Sequence, residues 1–116
     1  MMNLNLYNIN EIDSNYIQKH SLTNEDKFYE CVVEDNKIGY AIIKNNQSDM
    51  IYIEIYQEYQ NNGNGSKLFK EILGLLNGIV RVISDVDNYK MNRIILNNNG
   101  IETGRDGLFI HYIIEK

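Results

Sequence analysis

Met50-Ile51-Tyr52-Ile53-Glu54-Ile55-Tyr56 leads into Gln60-Asn61-Asn62-Gly63-Asn64-Gly65-Ser66, and the architecture of the chain hinges on that junction. The first segment is rich in β-branched and aromatic residues, the composition of a strand. Past the glycines, Leu68, Phe69, Ile72, Leu73, Leu75 and Leu76 recur at helical spacing until Asn77-Gly78 stops them. Both glycines therefore sit at a strand-to-helix turn. The first backbone N–H groups of a helix lack internal acceptors, and with the positive end of the helix dipole they make an anion site. Gly63 and Gly65 have no Cβ to hold a phosphate away from the backbone. The loop suits a pyrophosphate.

The neighbours of the glycines narrow the ligand. A P-loop requires Lys and then Ser or Thr directly after its last glycine, whereas Ser66-Lys67 has the reverse order and the loop is too short. A dinucleotide fingerprint requires a third glycine, and Phe69 and Lys70 stand where it would fall. Both nucleotide readings fail.

Ile55-Tyr56-Gln57-Glu58-Tyr59-Gln60-Asn61-Asn62-Gly63-Asn64-Gly65 resembles the acyl-CoA loop of the GNAT superfamily of N-acetyltransferases, Val-x-Pro-Glu-Tyr-(Arg/Gln)-x-x-Gly-x-(Gly/Ala). Glu58, Tyr59, Gln60, Gly63 and Gly65 match, Ile55 stands in for Val, and Gln57 replaces the proline in a chain that has none. The order of elements around the loop extends the resemblance from Cys31 to Lys116. A hairpin is predicted from Phe28 to Glu34 and Lys37 to Lys44, joined at Asp35-Asn36. A strand follows at Ile79 to Ile83, a short helix from about Asn88, and a last hairpin turning at Arg105-Asp106-Gly107. Asn3 to Tyr7 reads as the first strand and Ile9 to Lys19 as a short first helix. The resemblance implies an α/β GNAT-like fold, a mixed and mostly antiparallel sheet with flanking helices, spanning residues 1–116 as one domain with a shortened N-terminal helical region. That shortening implies an open acceptor site, suited to a protein amine or a small amine, or finished by a second copy in a homodimer.

The resemblance also implies acetyl-CoA as co-substrate. The pyrophosphate amides fall on Asn61, Asn62, Gly63, Asn64, Gly65 and Ser66, and the pantetheine and oxyanion contacts on the strand backbone at Ile53, Glu54 and Ile55. Asn88 matches a helix asparagine that touches the cofactor. Acyl transfer to an alkylamine requires removal of a proton, because such amines titrate near ~10.4. Two carboxylates compete for that role. Asp49 occupies the position that several family members use, and is placed first; Glu54 is the other, on the opposite face of an uninterrupted strand. The family tyrosine that protonates the leaving thiolate is absent, since Ile95, or Leu96 with a one-residue slip, stands there. An acyl-CoA-binding or protein-interaction domain that has lost turnover is the alternative.

Composition bounds the rest. The net charge of −5 and scattered basic residues argue against nucleic acid, which is gripped through basic stripes, and suit a cationic amine. No apolar run approaches the ~20 residues of a membrane span. The single Cys31 points to a reducing, cytoplasmic setting and, lying in an apolar strand, to a packed thiol. His20 reads as part of a polar connection and His111 as a half-exposed strand residue. With two histidines and one cysteine, no metal cluster is expected.

Overall fold

The computed structural model of the chain describes residues 1–45 and 50–116. Strand β1 (Met2–Tyr7) is followed by a 3-10 turn at Ile9–Glu11 and helix α1 (Ser14–His20). The expected single helix from Ile9 to Lys19 is thus two pieces. Ile12 is extended, with ψ at 136°, and Asp13 starts α1 afresh by accepting from the Asn15 N–H. Strands β2 (Lys27–Val33), β3 (Asn36–Lys44) and β4 (Met50–Ile55) come next, then α2 (Asn64–Leu73), β5 (Ile79–Asp85), α3 (Tyr89–Asn97), β6 (Ile101–Arg105) and β7 (Phe109–Glu115). Helix α2 ends three residues earlier than its apolar pattern. Turn bonds carry Leu76 back into the core and leave Leu75 exposed.

The strands form one sheet in the order β1-β2-β3-β4-β5-β7-β6. All neighbours are antiparallel except β4 and β5, as the mixed, mostly antiparallel reading requires. The β2–β3 hairpin turns at Glu34 and Asp35, both at positive φ (50° and 65°). That backbone twist matches the sheet's and makes a tight turn without glycine.

While β6 at one edge is exposed throughout, the central strands of the sheet are buried on both faces. On one, α2 and α3 cover Ile51, Ile53 and Ile55 of β4, Val80 and Val82 of β5, and Ile110 and Ile114 of β7. Leu68, Phe69 and Ile72 of α2 are completely buried there, each contributing about 1.5–3 kcal/mol. On the other, α1 covers a smaller cluster of Leu22, Phe28, Tyr40, Ile42 and Tyr52. One extra residue, Ile38, bulges β3 against β2, where Cys31 pairs with Gly39 but Val32 with Lys37. The bulge places Ile38 and Ala41 on the α2 face while Tyr40 turns to the α1 face. Strand β4 pairs with β3 without a shift, so Tyr52 and Glu54 share the α1 face and the isoleucines the other.

Candidate functional site

Gly63, at φ 76°, is the N-cap of α2, and Asn61 shares the left-handed region at φ 70°. Lys67 N–H makes the first helical bond, to the Gly63 carbonyl, and among the described residues no backbone carbonyl takes the N–H groups of Asn61 to Ser66. This turn therefore presents a run of free donors at a helix N-terminus. The two glycines serve different ends. A Cβ on Gly63 would meet no atom within 4 Å and stand in the open loop, whereas one on Gly65 would lie 3.1 Å from Ile94 Cδ1 and 3.6 Å from Met91 Cε. Gly63 allows the turn, and Gly65 lets α3 approach α2.

Between these helices lies a cleft of about 260 Å³ whose lining includes Ile55, Gly63, Gly65, Ser66, Asn88 and Ile94. Lys90 and Arg93, both exposed on α3, stand at its rim. Their charge suits phosphates. Asn88 Oδ1 caps α3 by accepting from the Met91 N–H at 3.1 Å. The expected cofactor asparagine therefore lines the cleft and also fixes the helix that forms its wall.

Ile55, the last residue of β4, lines the cleft, and β4 runs beside β5. These strands share only two residue pairs, Met50 with Arg81 and Ile51 with Val82. Beyond them β4 has no partner on that side. Tyr56 N–H donates to the Ile38 carbonyl of β3, so by alternation Glu54 and Tyr52 also turn their backbone groups to β3, and Ile53 and Ile55 turn theirs to the gap. Gln60 Nε2 takes the Ile55 carbonyl at 2.9 Å. The strand amides available to a ligand are those of Ile53 and Ile55. This corrects the expectation for Glu54, whose backbone is engaged in the sheet and which offers only its side chain.

That side chain lies on the α1 face, 30% exposed, among hydroxyls and one ammonium. Glu54 Oε1 is 3.3 Å from Tyr40 Oη, 3.1 Å from Tyr52 Oη and 3.4 Å from Lys19 Nζ. Tyr52 Oη also lies 2.5 Å from Asp85 Oδ2 and, with one proton to give, donates it there. The Tyr52–Asp85 bond crosses from β4 to β5 where the strands part. Burial first, and then the hydrogen bond to Asp85, hold the Tyr52 hydroxyl protonated far above its ordinary range. Burial and the Glu54 charge do the same for Tyr40. Both act as neutral donors.

His20 belongs to this cluster, not to a polar connection. Its Nε2 is 3.0 Å from Tyr40 Oη and its ring centroid 4.5 Å from that of Tyr52. Burial, with Lys19 beside it, lowers its pKa to about 4. The unfolded chain therefore takes up this proton first as pH falls, so stability present above about pH 6.5 is lost progressively toward pH 4. Because the ring is only half-buried, screening leaves an effect on the order of 1–2 kcal/mol. Melting temperature should fall more steeply from pH 7 to pH 4.5 in the wild type than in His20→Gln; equal slopes would disprove the assignment.

Asp49 lies outside the described residues. Ile95 is fully buried between α3 and the sheet, and Leu96 is exposed, so neither sequence alignment puts a hydroxyl at the thiolate. Cys31 is fully buried and its thiol is pushed up to about 11, chiefly by burial. His111 is half-exposed and faces Asp106 at 3.1 Å. The sequence reading missed Asp85, Lys19, Lys90, Arg93 and the tyrosines at 7, 16 and 40. The signal available was the nine tyrosines and the alternation of isoleucine with Tyr52, Glu54 and Tyr56 along β4 and just past it.

Solved structures share the fold that carries this cleft. The chain superimposes on an IAA acetyltransferase of Bacillus cereus with a TM-score of 0.77 at 10% identity, covering 100% of both chains. The chain has the GNAT acetyltransferase fold. A GNAT acetyltransferase of Elizabethkingia anophelis with acetyl-CoA bound gives 0.72 at 9% identity, covering 99% of this chain and 98% of that one. A spermidine N-acetyltransferase of Vibrio cholerae in complex with CoA and spermine gives 0.71 at 14%, covering 98% and 95%. No family model and no curated protein matches the chain. Among the described residues no helix is long and apolar enough to cross a membrane.

Proposed function

We propose that this chain is an N-acetyltransferase that moves an acetyl group from acetyl-CoA to a primary amine by direct attack, acting as one domain in the cytoplasm. The observation that carries the reading is the β4–β5 seam, which parts after two pairs between the glycine cleft and Glu54. The amides of Asn61 to Ser66, with Lys90 and Arg93, bind the phosphates, and the Ile53 and Ile55 amides face the thioester. Polarised by those donors, the carbonyl gains charge as the amine attacks through the gap from the α1 face. Glu54, directly or through a water, takes the amine proton. Tyr40 donates to its carboxylate and holds it in place. The acetyl-CoA-bound and spermine-bound neighbours support this co-substrate and an amine acceptor.

The absence of a hydroxyl at Ile95 favours a second reading, an acyl-CoA-binding domain without turnover. A thiolate whose conjugate acid titrates near ~8.5 leaves tolerably without an acid, so the loss costs on the order of 10²-fold rather than all activity. Binding is tested first. Acetyl-CoA at a hundred times its Kd should stabilise the protein by about 2.7 kcal/mol, raising the melting temperature by several degrees. The double variant Lys90→Glu, Arg93→Glu should keep the unliganded melting temperature and lose most of that rise. No rise in the wild type would remove the cofactor and the function together. A rise without transfer to any of a panel of amines would establish the second reading.

A further inference from the structure

On the α1 face, beside Tyr56, a second cleft of about 390 Å³ opens between β1, β2 and the start of α1. Its walls are the rings of Tyr7, Tyr16, Phe28, Tyr40 and Tyr56. Tyr16 and Tyr40 have ring centroids 4.6 Å apart, Phe28 and Tyr40 5.3 Å, and Tyr40 and Tyr56 6.3 Å. Tyr40 and Phe28 are buried and back the cleft, and the half-buried rings of Tyr7, Tyr16 and Tyr56 are those that offer a π-face to a cation. Three carboxylates, Glu30, Glu11 and Asp13, share the cleft with one lysine, Lys37. Glu11 and Asp13 each use one oxygen on a backbone cap. Glu30 is the enclosed one, 13% exposed, its Oε1 held by the Tyr7 hydroxyl at 2.6 Å.

Register ties this cleft to the reaction centre. Glu30 of β2 pairs with Tyr40 of β3, and Tyr40 pairs with Glu54 of β4. The two glutamates thus stand in one row on one face with a tyrosine between them, two strand spacings or roughly 10 Å apart. At each end the chain has placed an ammonium of its own. Lys19 Nζ is 3.4 Å from Glu54 and 5.2 Å from the Tyr52 ring centroid, and Lys37 Nζ is 3.5 Å from Glu30. Both lysines are loosely held, 41% and 69% exposed, so an incoming cation displaces them at little cost.

We infer that the acceptor carries two ammonium groups, an α,ω-diamine or longer polyamine, with its reacting nitrogen at Glu54 and its distal cation at Glu30 beside the half-buried rings of Tyr7, Tyr16 and Tyr56. The inference rests on the acetyltransferase reading for its first station only. The second is a binding site with its own test.

Diaminohexane and hexylamine share a reacting end and differ in the distal charge. In the wild type the diamine should have a kcat/KM at least ~10-fold above the monoamine, the scale of one charge-assisted hydrogen bond. Glu30→Gln retains an oxygen to accept from Tyr7 and should bring that ratio close to unity. Calorimetric titration of the same two amines, without acetyl-CoA, should show the same preference and the same loss. A ratio near unity in the wild type, or one that Glu30→Gln leaves in place, would overturn the inference. If no amine is acetylated, the acetyltransferase reading fails, and the titration still decides the distal site by itself.

Discussion

Glu54→Gln is expected to lower turnover by roughly 10²-fold or more while leaving acetyl-CoA affinity near that of the wild type. Gln keeps the oxygen that accepts from Tyr40 and Lys19 but cannot take a proton, so stability should change little. Wild-type rates should rise with pH as the acceptor amine is freed, and the variant should need higher pH to approach them. Steady-state kinetics between pH 6 and pH 10, with a melting curve for each protein, separate chemistry from folding. An Asp49→Asn variant showing the large loss, with Glu54→Gln mild, would transfer the base to Asp49. Wild-type turnover in both variants would leave proton removal to water.

Gly39→Ala should have the largest effect on stability. A Cβ at this position would run into the Glu54 carbonyl oxygen and lie 3.0 Å from Ile55 Cα and 3.1 Å from the Glu54 carbonyl carbon. Every one of these is a backbone atom of the strand that carries the proposed base, so no side chain can rotate away. Relief requires β4 to move off β3. We expect a loss of about 3 kcal/mol and a fall in melting temperature on the order of 12 °C. Gly104→Ala is the control, since a Cβ there meets nothing within 4 Å. Urea denaturation of both variants decides the point, and a Gly39→Ala protein as stable as Gly104→Ala would contradict the packing described.

The fold was legible because its signals are local. The strand, glycine turn and apolar helix around Gly63 fall in one continuous run of sequence, and α3 begins at the asparagine that caps it. The first helix was misread because Asp13 is at once a plausible helix residue and a better cap, and only the extended backbone of Ile12 distinguishes the two. Of the site, the cofactor loop could be read for the same local reason. The acceptor side could not. Glu30, Tyr40 and Glu54 are brought into one row by pairing between three strands. Burial of His20 against Tyr52 is likewise a tertiary fact, contradicting the polar residues around it in sequence.

The short β4–β5 seam bears on how the molecule assembles. Strands β1 to β4 are neighbours in both sequence and space over residues 2–55, and β5 to β7 form a second consecutive set over residues 79–115. Each set is antiparallel and built from contacts close along the chain, the kind that form early. Two residue pairs join them, so cohesion across the seam also rests on the helices above it, α2 packed on β4 and on α3, and α3 packed on β5, in one apolar cluster. The order of assembly then runs from two separate half-sheets to a late clamping by α2 and α3 together. Amide protons along the gap should exchange with solvent ahead of those inside either half. The proposed reaction centre is then the last part of this protein to become solid, and the first to loosen.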